Sequence, residues 1–308
     1  MHLDDLRLYV RVAQAGSLSA AARQLGLSPA AVSAAIKRIE AAQRVRLIER
    51  STRALRLTPE GETFLDGCLR ILDQWEQTRS ALQDGGAAHG EVRISAPSDT
   101  AHSRLSPWLA EWQRTHPGVN VTLLVSDRVQ DLMRESVDIA VRYGVLADSG
   151  LVARPLCSGP RIIVAAPDYL KKHGTPKTPD ELTRHHAVFL LIDGRPYRDW
   201  PLWRGRQQQA TRVRMQGNLC GNGQLVRQWA LQGRGLASKA LVDVIDDLEA
   251  GRLVQVLPDH HGGELPVQAV LPGRGHTPQR VRELLVLLTG RYAELHARMQ
   301  VWRGRKAR

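Results

Sequence analysis

The sequence predicts an α/β protein whose N-terminal winged helix-turn-helix is joined by one long helix to a larger domain of alternating strands and helices. Three observations carry this. In the first 57 residues, apolar positions recur at helical spacing in three short blocks. Residues 59–84 contain no helix breaker. From Glu91 onward, short β-branched runs alternate with helical stretches.

Leu3, Leu6, Val10 and Ala13 predict a first helix that ends near Gly16. Ser17 is placed to cap a second, with Leu18, Ala21, Ala22 and Leu25 on its apolar face, and Gly26-Leu27 makes the turn. Ser28-Pro29 supplies another cap, with proline at the first helical position, where its missing N–H does no harm. In the third helix Val32, Ala35, Ile36 and Ile39 point inward, which leaves Ala30, Ser33, Ala34 and Lys37 outside. Small residues allow close approach to a major groove, and polar ones meet phosphates and base edges. A structural bundle with a solvated face fits the same spacing.

The next segment favours nucleic acid. Residues 37–56 carry seven basic side chains (Lys37, Arg38, Arg44, Arg46, Arg50, Arg53, Arg56) against two acidic ones. Short strands at Arg46–Arg50 and Ala54–Leu57 would flank a Ser51-Thr52-Arg53 turn, a wing that carries arginines toward phosphates. Residues 1–84 as a whole hold 12 basic and 10 acidic residues, so the positive charge is concentrated on one surface. The whole chain has 308 residues and a formal charge of +12, which also favours a polyanionic partner.

These motifs resemble those of the LysR family of transcriptional regulators. Ala15-Gly16-Ser17-Leu18-Ser19-Ala20-Ala21-Ala22-Arg23-Gln24-Leu25, Leu27-Ser28-Pro29-Ala30-Ala31-Val32-Ser33 and Leu57-Thr58-Pro59-Glu60-Gly61 carry the resemblance. It implies sequence-specific binding to duplex promoter DNA at a pseudo-palindromic site, by a protein that is not an enzyme. The expected DNA-contacting set is Ser28, Pro29, Ala30, Ser33, Lys37, Arg38, Arg50, Thr52 and Arg53. Two positions depart from the family pattern: Ala34 replaces the usual basic or amide residue, and Gln43-Arg44 the usual Leu-Gly.

Thr58-Pro59 repeats the cap-plus-proline start and opens a helix of about 39 Å. Leu65, Cys68, Leu72, Trp75 and Leu82 take a and d positions of a heptad, with Arg79 at one a position. Such a seam serves a partner helix or the chain's own head. The resemblance implies a dimer through 59–84 and a dimer of dimers. Gly85 to Gly90 reads as a hinge. The expected division is thus 1–57 for the head, 58–90 for linker helix and hinge, and 91–308 for effector binding.

In the last part, expected strands are Val92–Ala96, Val119–Val125, Val137–Val141, Ile162–Ala166, Val188–Ile192, Leu253–Leu257 and Val267–Leu271, in a mostly parallel sheet. Helices are expected at Trp108–Thr115, Gln224–Gln232, Ala240–Ala250 and Gln279–Met299. The resemblance implies two lobes like a periplasmic binding protein, 91–165 with 265–300 and 166–264. Crossovers would fall at Cys157–Ala166 and Pro258–Pro266, with a small effector between the lobes. Strand ends nominate Ser98, Asp99, Thr100, Ser126, Arg142, Tyr143, Cys220, Asn222 and Lys239 as its contacts. Hydroxyls and free amides at helix starts, with Arg142 and Lys239, favour a carboxylate; Asp99 argues against a multiply anionic one. Each has an ordinary alternative as a helix cap or internal ion-pair partner.

No cofactor or metal is expected. His185-His186 and His260-His261 have no partners at zinc spacing, and no phosphate loop or nucleophile elbow is present. Cys157 and Cys220, 63 residues apart, leave a redox switch as a weaker alternative, and a transport solute-binding protein as another. Three scattered cysteines, no visible secretory signal and no long apolar run point to a reduced, cytoplasmic setting without membrane contact. RNA polymerase is an expected partner. The basic residues from Arg298 to Arg308 read as a disordered end or extra DNA affinity.

Overall fold

The computed structural model describes residues 1–50, 55–84, 89–126, 137–144, 151–192, 194–205, 208–271 and 277–306. Helices α1 (Leu3–Ala15), α2 (Leu18–Leu25) and α3 (Pro29–Gln43) form the head, followed by antiparallel strands β1 (Ile48–Arg50) and β2 (Leu55–Leu57). The caps fall where the sequence puts them. Ser17 Oγ accepts from the Ala20 amide and Ser28 Oγ from the Ala31 amide, both at 3.1 Å. Gly16 and Gly26 end α1 and α2 in the left-handed conformation. At the end of α3 the same conformation falls on Arg44, at φ 56°, where the family's glycine would carry no Cβ penalty.

Helix α4 (Pro59–Asp84) is welded to the head at its first turn. Thr58 Oγ1 donates to the Arg46 carbonyl (2.8 Å) and accepts from the Gly61 amide (2.9 Å). The fully buried Tyr9 donates its hydroxyl to the Gly61 carbonyl at 3.0 Å and packs edge-on against Phe64. Cys68 is buried in the head core, with Leu65 and Leu72 against it. The first half of the heptad seam is therefore used within the chain. Trp75 and Ile71 stay exposed, and the side chains of Arg79 and Leu82 lie outside the described residues.

The remaining chain builds one large mixed sheet. Strand β3 (Gly90–Ala96) leads into α5 (Ser98–Thr100), a π-helical turn at Ala101–Leu105, and α6 (Ser106–Thr115). Strands β4 (Val119–Val125), β5 (Ile139–Tyr143) and β6 (Val152–Ala165) follow, then α7 (Pro167–His173). Next come β7 (His186–Ile192), β8 (Arg195–Pro196), β9 (Asp199–Arg204), β10 (Thr211–Arg214) and β11 (Gln216–Gly221). Helix α8 (Gly223–Leu231), β12 (Leu236–Ala240), α9 (Leu241–Glu249), β13 (Val254–Val256), β14 (His260–His261), β15 (Glu264–Leu271) and α10 (Gln279–Lys306) complete the order.

The main sheet runs β11-β7-β12-β6-β15-β5-β3-β4, with β13 also on β6 and β8 on β7; β9, β10 and β14 form a small separate sheet. Strand β6 spans both halves. Its residues 152–160 pair with β15, and 161–165 pair with β12 and β13. The halves thus change over where Arg161 exchanges backbone hydrogen bonds with Gly262 and Gly263. Gly263 has φ +88°, a backbone state that favours glycine at this crossing.

Four expectations are corrected. The sheet is not mostly parallel: β6 and β15 connect the halves side by side and run antiparallel to each other, to β12 and to β5. The helix expected from Trp108 begins at Ser98. A π turn just before Pro107 accommodates the missing N–H, since the Ser106 amide reaches back to Ala101. Strands β9 to β12 were not anticipated. β12 is buried along its whole length and shows no alternation, and β11 carries two glycines. The basic end is helical through Lys306: Arg298 pairs with Asp246 and Glu249, and Arg303 with Glu264. The hinge residues Gly85 to Ala88 lie outside the described residues.

A Cβ on Gly61 would sit 2.0 Å from the Leu47 carbonyl oxygen, whereas one on Gly67 meets nothing within 4 Å. Gly61→Ala should therefore lower the head's unfolding free energy by about 2–3 kcal/mol. Gly67→Ala, in the same helix, should raise it by about 0.5–1 kcal/mol. Urea titration followed by circular dichroism checks both, and equal effects would refute the weld.

Candidate functional sites: a nucleic-acid face and a polar junction

On α3, Pro29, Ala30, Ala34, Lys37 and Arg38 are exposed, as is Ser28 before it, while Ser33 is half-buried. The outer face is small and basic, as the spacing predicts. Arg38 leans back to Asp5 on α1, 3.5 Å away, whereas Lys37 makes no ion pair among the described residues. Ser28 already spends its hydroxyl on the cap. Arg46 and Arg56, near the wing, are exposed. Thr52 and Arg53 lie outside the described residues, as does the side chain of Arg50.

Sequence reasoning missed what holds the wing. Glu40 Oε1 on α3 accepts from the Leu47 amide at 3.0 Å and the Ile48 amide at 3.2 Å. These charge-assisted bonds fix the start of β1 against the groove-facing helix. One of two acids within a basic stretch was the signal. Glu40→Ala should cost about 1–2 kcal/mol of stability, read as a lower midpoint in urea; Glu40→Gln should recover part of it, since its amide oxygen still accepts.

The second site lies where the two halves of the large sheet meet. Ser98, Asp99 and Thr100 follow β3, in the first half, and all three are buried. Opposite stand α8, the end of β12 and α9. Lys239 forms an ion pair with Asp99 Oδ2 and donates to the Gly223 carbonyl at 3.0 Å; both side chains are about 95% buried. The Gln224 amide reaches Ser98 Oγ at 3.4 Å. Tyr143, at the end of β5, donates to Asp243 Oδ1 at 2.7 Å, and Thr100 Oγ1 lies 2.9 Å from the Tyr143 hydroxyl and 3.3 Å from the same carboxylate oxygen. The sequence nominates five of these residues (Ser98, Asp99, Thr100, Tyr143, Lys239), and the fold gathers them.

Burial shapes the electrostatics. It drives the Lys239 ammonium down to about 8, against the pull of Asp243 and Asp247. Burial and the neighbouring Asp243 hold the Tyr143 phenol well above its ordinary range, so it is a hydrogen-bond donor at neutral pH. Arg161, where the halves cross over, donates to the Ser238 carbonyl at 3.3 Å and stacks over Tyr197. At this junction the buried acceptors Asp99 Oδ1 and Gln224 Oε1 find no donor among the described residues. Buried polar atoms are nearly always bonded, so both stand out.

The other nominated residues have separate duties. Arg142 is buried and donates to Ser95 Oγ and the Val141 carbonyl, each at 2.8 Å. Asp138, at the start of the same strand run, accepts from the Arg93 amide at 2.8 Å. Asn222 caps α8, accepting from Leu225 at 3.0 Å. The Ser126 amide continues the β3 pairing to Ala96. Cys220 is exposed on edge strand β11, and Cys157 on β6 is held up to about 12 by burial, a poor nucleophile. Asp243, Gln224 and Arg161 were missed. Asp243 was legible as the lone acid in Leu241-Val242-Asp243-Val244-Ile245.

A winged head on a long helix, followed by a two-part sheet with a polar junction, defines a DNA-binding regulator with an effector domain. The pattern described as "Bacterial regulatory helix-turn-helix protein, lysR family" matches residues 3–62, and "LysR substrate binding domain" matches residues 85–293. The chain belongs to the LysR family of transcriptional regulators, which are not enzymes. It is 32% identical over 294 residues to the HTH-type transcriptional regulator DmlR of Escherichia coli K12, covering 95% of each chain. It is 33% identical to the HTH-type transcriptional activator TtdR of the same strain, covering 83% of each. The full-length structure of CrgA from Neisseria meningitidis is 28% identical, with a TM-score of 0.60 over 95% of this chain and 99% of that one. Among the described residues no helix is long and apolar enough to cross a membrane.

Proposed function

We propose that this regulator is gated by a small carboxylate bound between two lobes, the two halves of the large sheet that change over at Arg161, Gly262 and Gly263 rather than at residues 165 and 265. The observation that carries the proposal is the buried polar junction of Asp99, Thr100, Tyr143, Lys239 and Asp243, with contributions from both halves of the sheet. Apolar residues of similar volume often hold a boundary as well as a buried ion pair or better, so stability alone gives little reason for charges here. The halves meet directly here, so a ligand has to part them and replace their contacts. That gives it different affinities for two states, which gating requires.

The DNA partner is a pseudo-palindromic promoter site read by two heads. Each contributes the small outer face of α3 and a basic wing, and α4 supplies the dimer contact through its exposed Ile71 and Trp75. Two dimers then pair, and RNA polymerase is the protein partner at the promoter. The site of action is the bacterial cytoplasm, where the promoter lies.

A gel-shift titration on DNA upstream of the protein's own gene tests this, with and without small carboxylates. Sequence-selective binding that a carboxylate alters is expected. Binding without sequence preference or salt dependence would overturn it. Lys37→Ala should weaken binding about equally on all sequences and reduce the slope of log affinity against log salt by about 1. A selective loss on one sequence would instead make Lys37 a base reader.

A further inference from the structure

The Asp99–Lys239 pair sets a stricter condition on the ligand than a negative charge. The two groups come from opposite halves and each is about 95% buried. Gly223 lets α8 lie against Asp99: a Cβ there would meet the Asp99 Cβ at 3.1 Å and Oδ2 at 3.2 Å. A carboxylate entering between the halves would take Lys239 as its partner. Asp99 would then be left buried, charged and without the ammonium, which costs several kcal/mol. Its second oxygen, Oδ1, already lacks a donor among the described residues, and so does Gln224 Oε1, whose backbone amide reaches the adjacent Ser98 Oγ.

Charge balance selects the ligand that resolves this. A plain acid adds a negative charge to a neutral pair. A hydroxy acid brings a donor but leaves the extra charge. A zwitterion supplies both halves of the broken pair, its carboxylate to Lys239 and its ammonium to Asp99, with N–H groups left over for Gln224. We propose that the effector is an amino acid or related amino-carboxylate that inserts between Asp99 and Lys239 and exchanges their ion pair for two of its own. This rests on the carboxylate reading above and narrows it to one chemical class. Asp99 acts as the specificity-determining residue, and the ion pair is the internal stand-in for the ligand that holds the junction when none is bound.

The test is a thermal-shift series on the full chain with the twenty amino acids, each beside the desamino acid of the same carbon chain, such as alanine with propionate. At least one amino acid should raise the melting temperature by about 2–4 °C, and its desamino partner should not. Asp99→Asn and Lys239→Met should each remove the shift. The double variant Asp99→Asn/Lys239→Met removes both charges of the pair together, so it guards against simple misfolding; it should melt cooperatively and be equally blind. Desamino acids acting as well as amino acids, or Asp99→Asn keeping the response, would overturn the zwitterion and leave the carboxylate reading intact. If no amino acid shifts the wild-type protein, the zwitterion is also overturned. If carboxylates of every kind are silent, the carboxylate reading falls with it.

Discussion

A carboxylate and an ammonium removed from water must face each other, and in this protein one comes from each half of the effector domain. Asp99 and Lys239 meet across the junction, and Tyr143 and Thr100 reach from the first half to Asp243 on α9. Much of the surrounding architecture makes this meeting possible. The π turn before Pro107 lets the helix start at Ser98, directly after β3. Gly223 allows α8 to approach closely enough for its carbonyl to bind Lys239. The long strand β6 and its partner β15 hold the two halves in one sheet, with a crossing at Arg161, Gly262 and Gly263. Polar contacts of this kind are directional and exchangeable, unlike apolar packing, and that suits the opening proposed for this boundary.

At the other end of the chain the logic is reversed. The head and α4 are joined by a buried tyrosine hydroxyl, a threonine cap and a glycine whose Cβ position is taken by the Leu47 carbonyl. Nothing in that joint invites exchange. A rigid joint carries any displacement of α4 to the groove-facing helix, and Glu40 carries it on to the wing. The effector domain contacts the linker through Arg280, which binds the Glu91 carbonyl and the buried Asp73 on α4. Under the proposed gating, a soft junction at one end and a stiff joint at the other would carry the effect of a ligand to the head.

The head was legible in the sequence because local chemistry decides it: Ser17, Ser28, Gly16, Gly26 and Pro29 act on their own helices within four residues. The strands of the effector domain were legible where β-branched runs stood alone. They were not legible in β12, where Leu236 to Ala240 is buried throughout and shows no period, nor in β11, where glycine interrupts. Strand direction was misjudged because pairing of β6 with β15 joins residues about a hundred positions apart, which no local pattern reports. At the junction, strand ends nominated Asp99, Thr100, Tyr143 and Lys239. Which of them would touch was beyond the sequence, and Asp243 was passed over although it is the one acid in the run Leu241 to Ile245. Asn222 shows the opposite case, since a residue with site-like chemistry turns out to be occupied as a helix cap.

Hydrogen–deuterium exchange on the full chain, wild type against Asp243→Asn, tests the central claim, that polar contacts at this junction hold the two halves together. Amides at 98–100 and 223–225 should exchange at least about tenfold faster in the variant, equivalent to about 1.4 kcal/mol of lost local protection. Core amides at 92–96 and 162–165 should keep their wild-type rates. Unchanged exchange at the junction, or a uniform rise across the whole domain, would contradict the account.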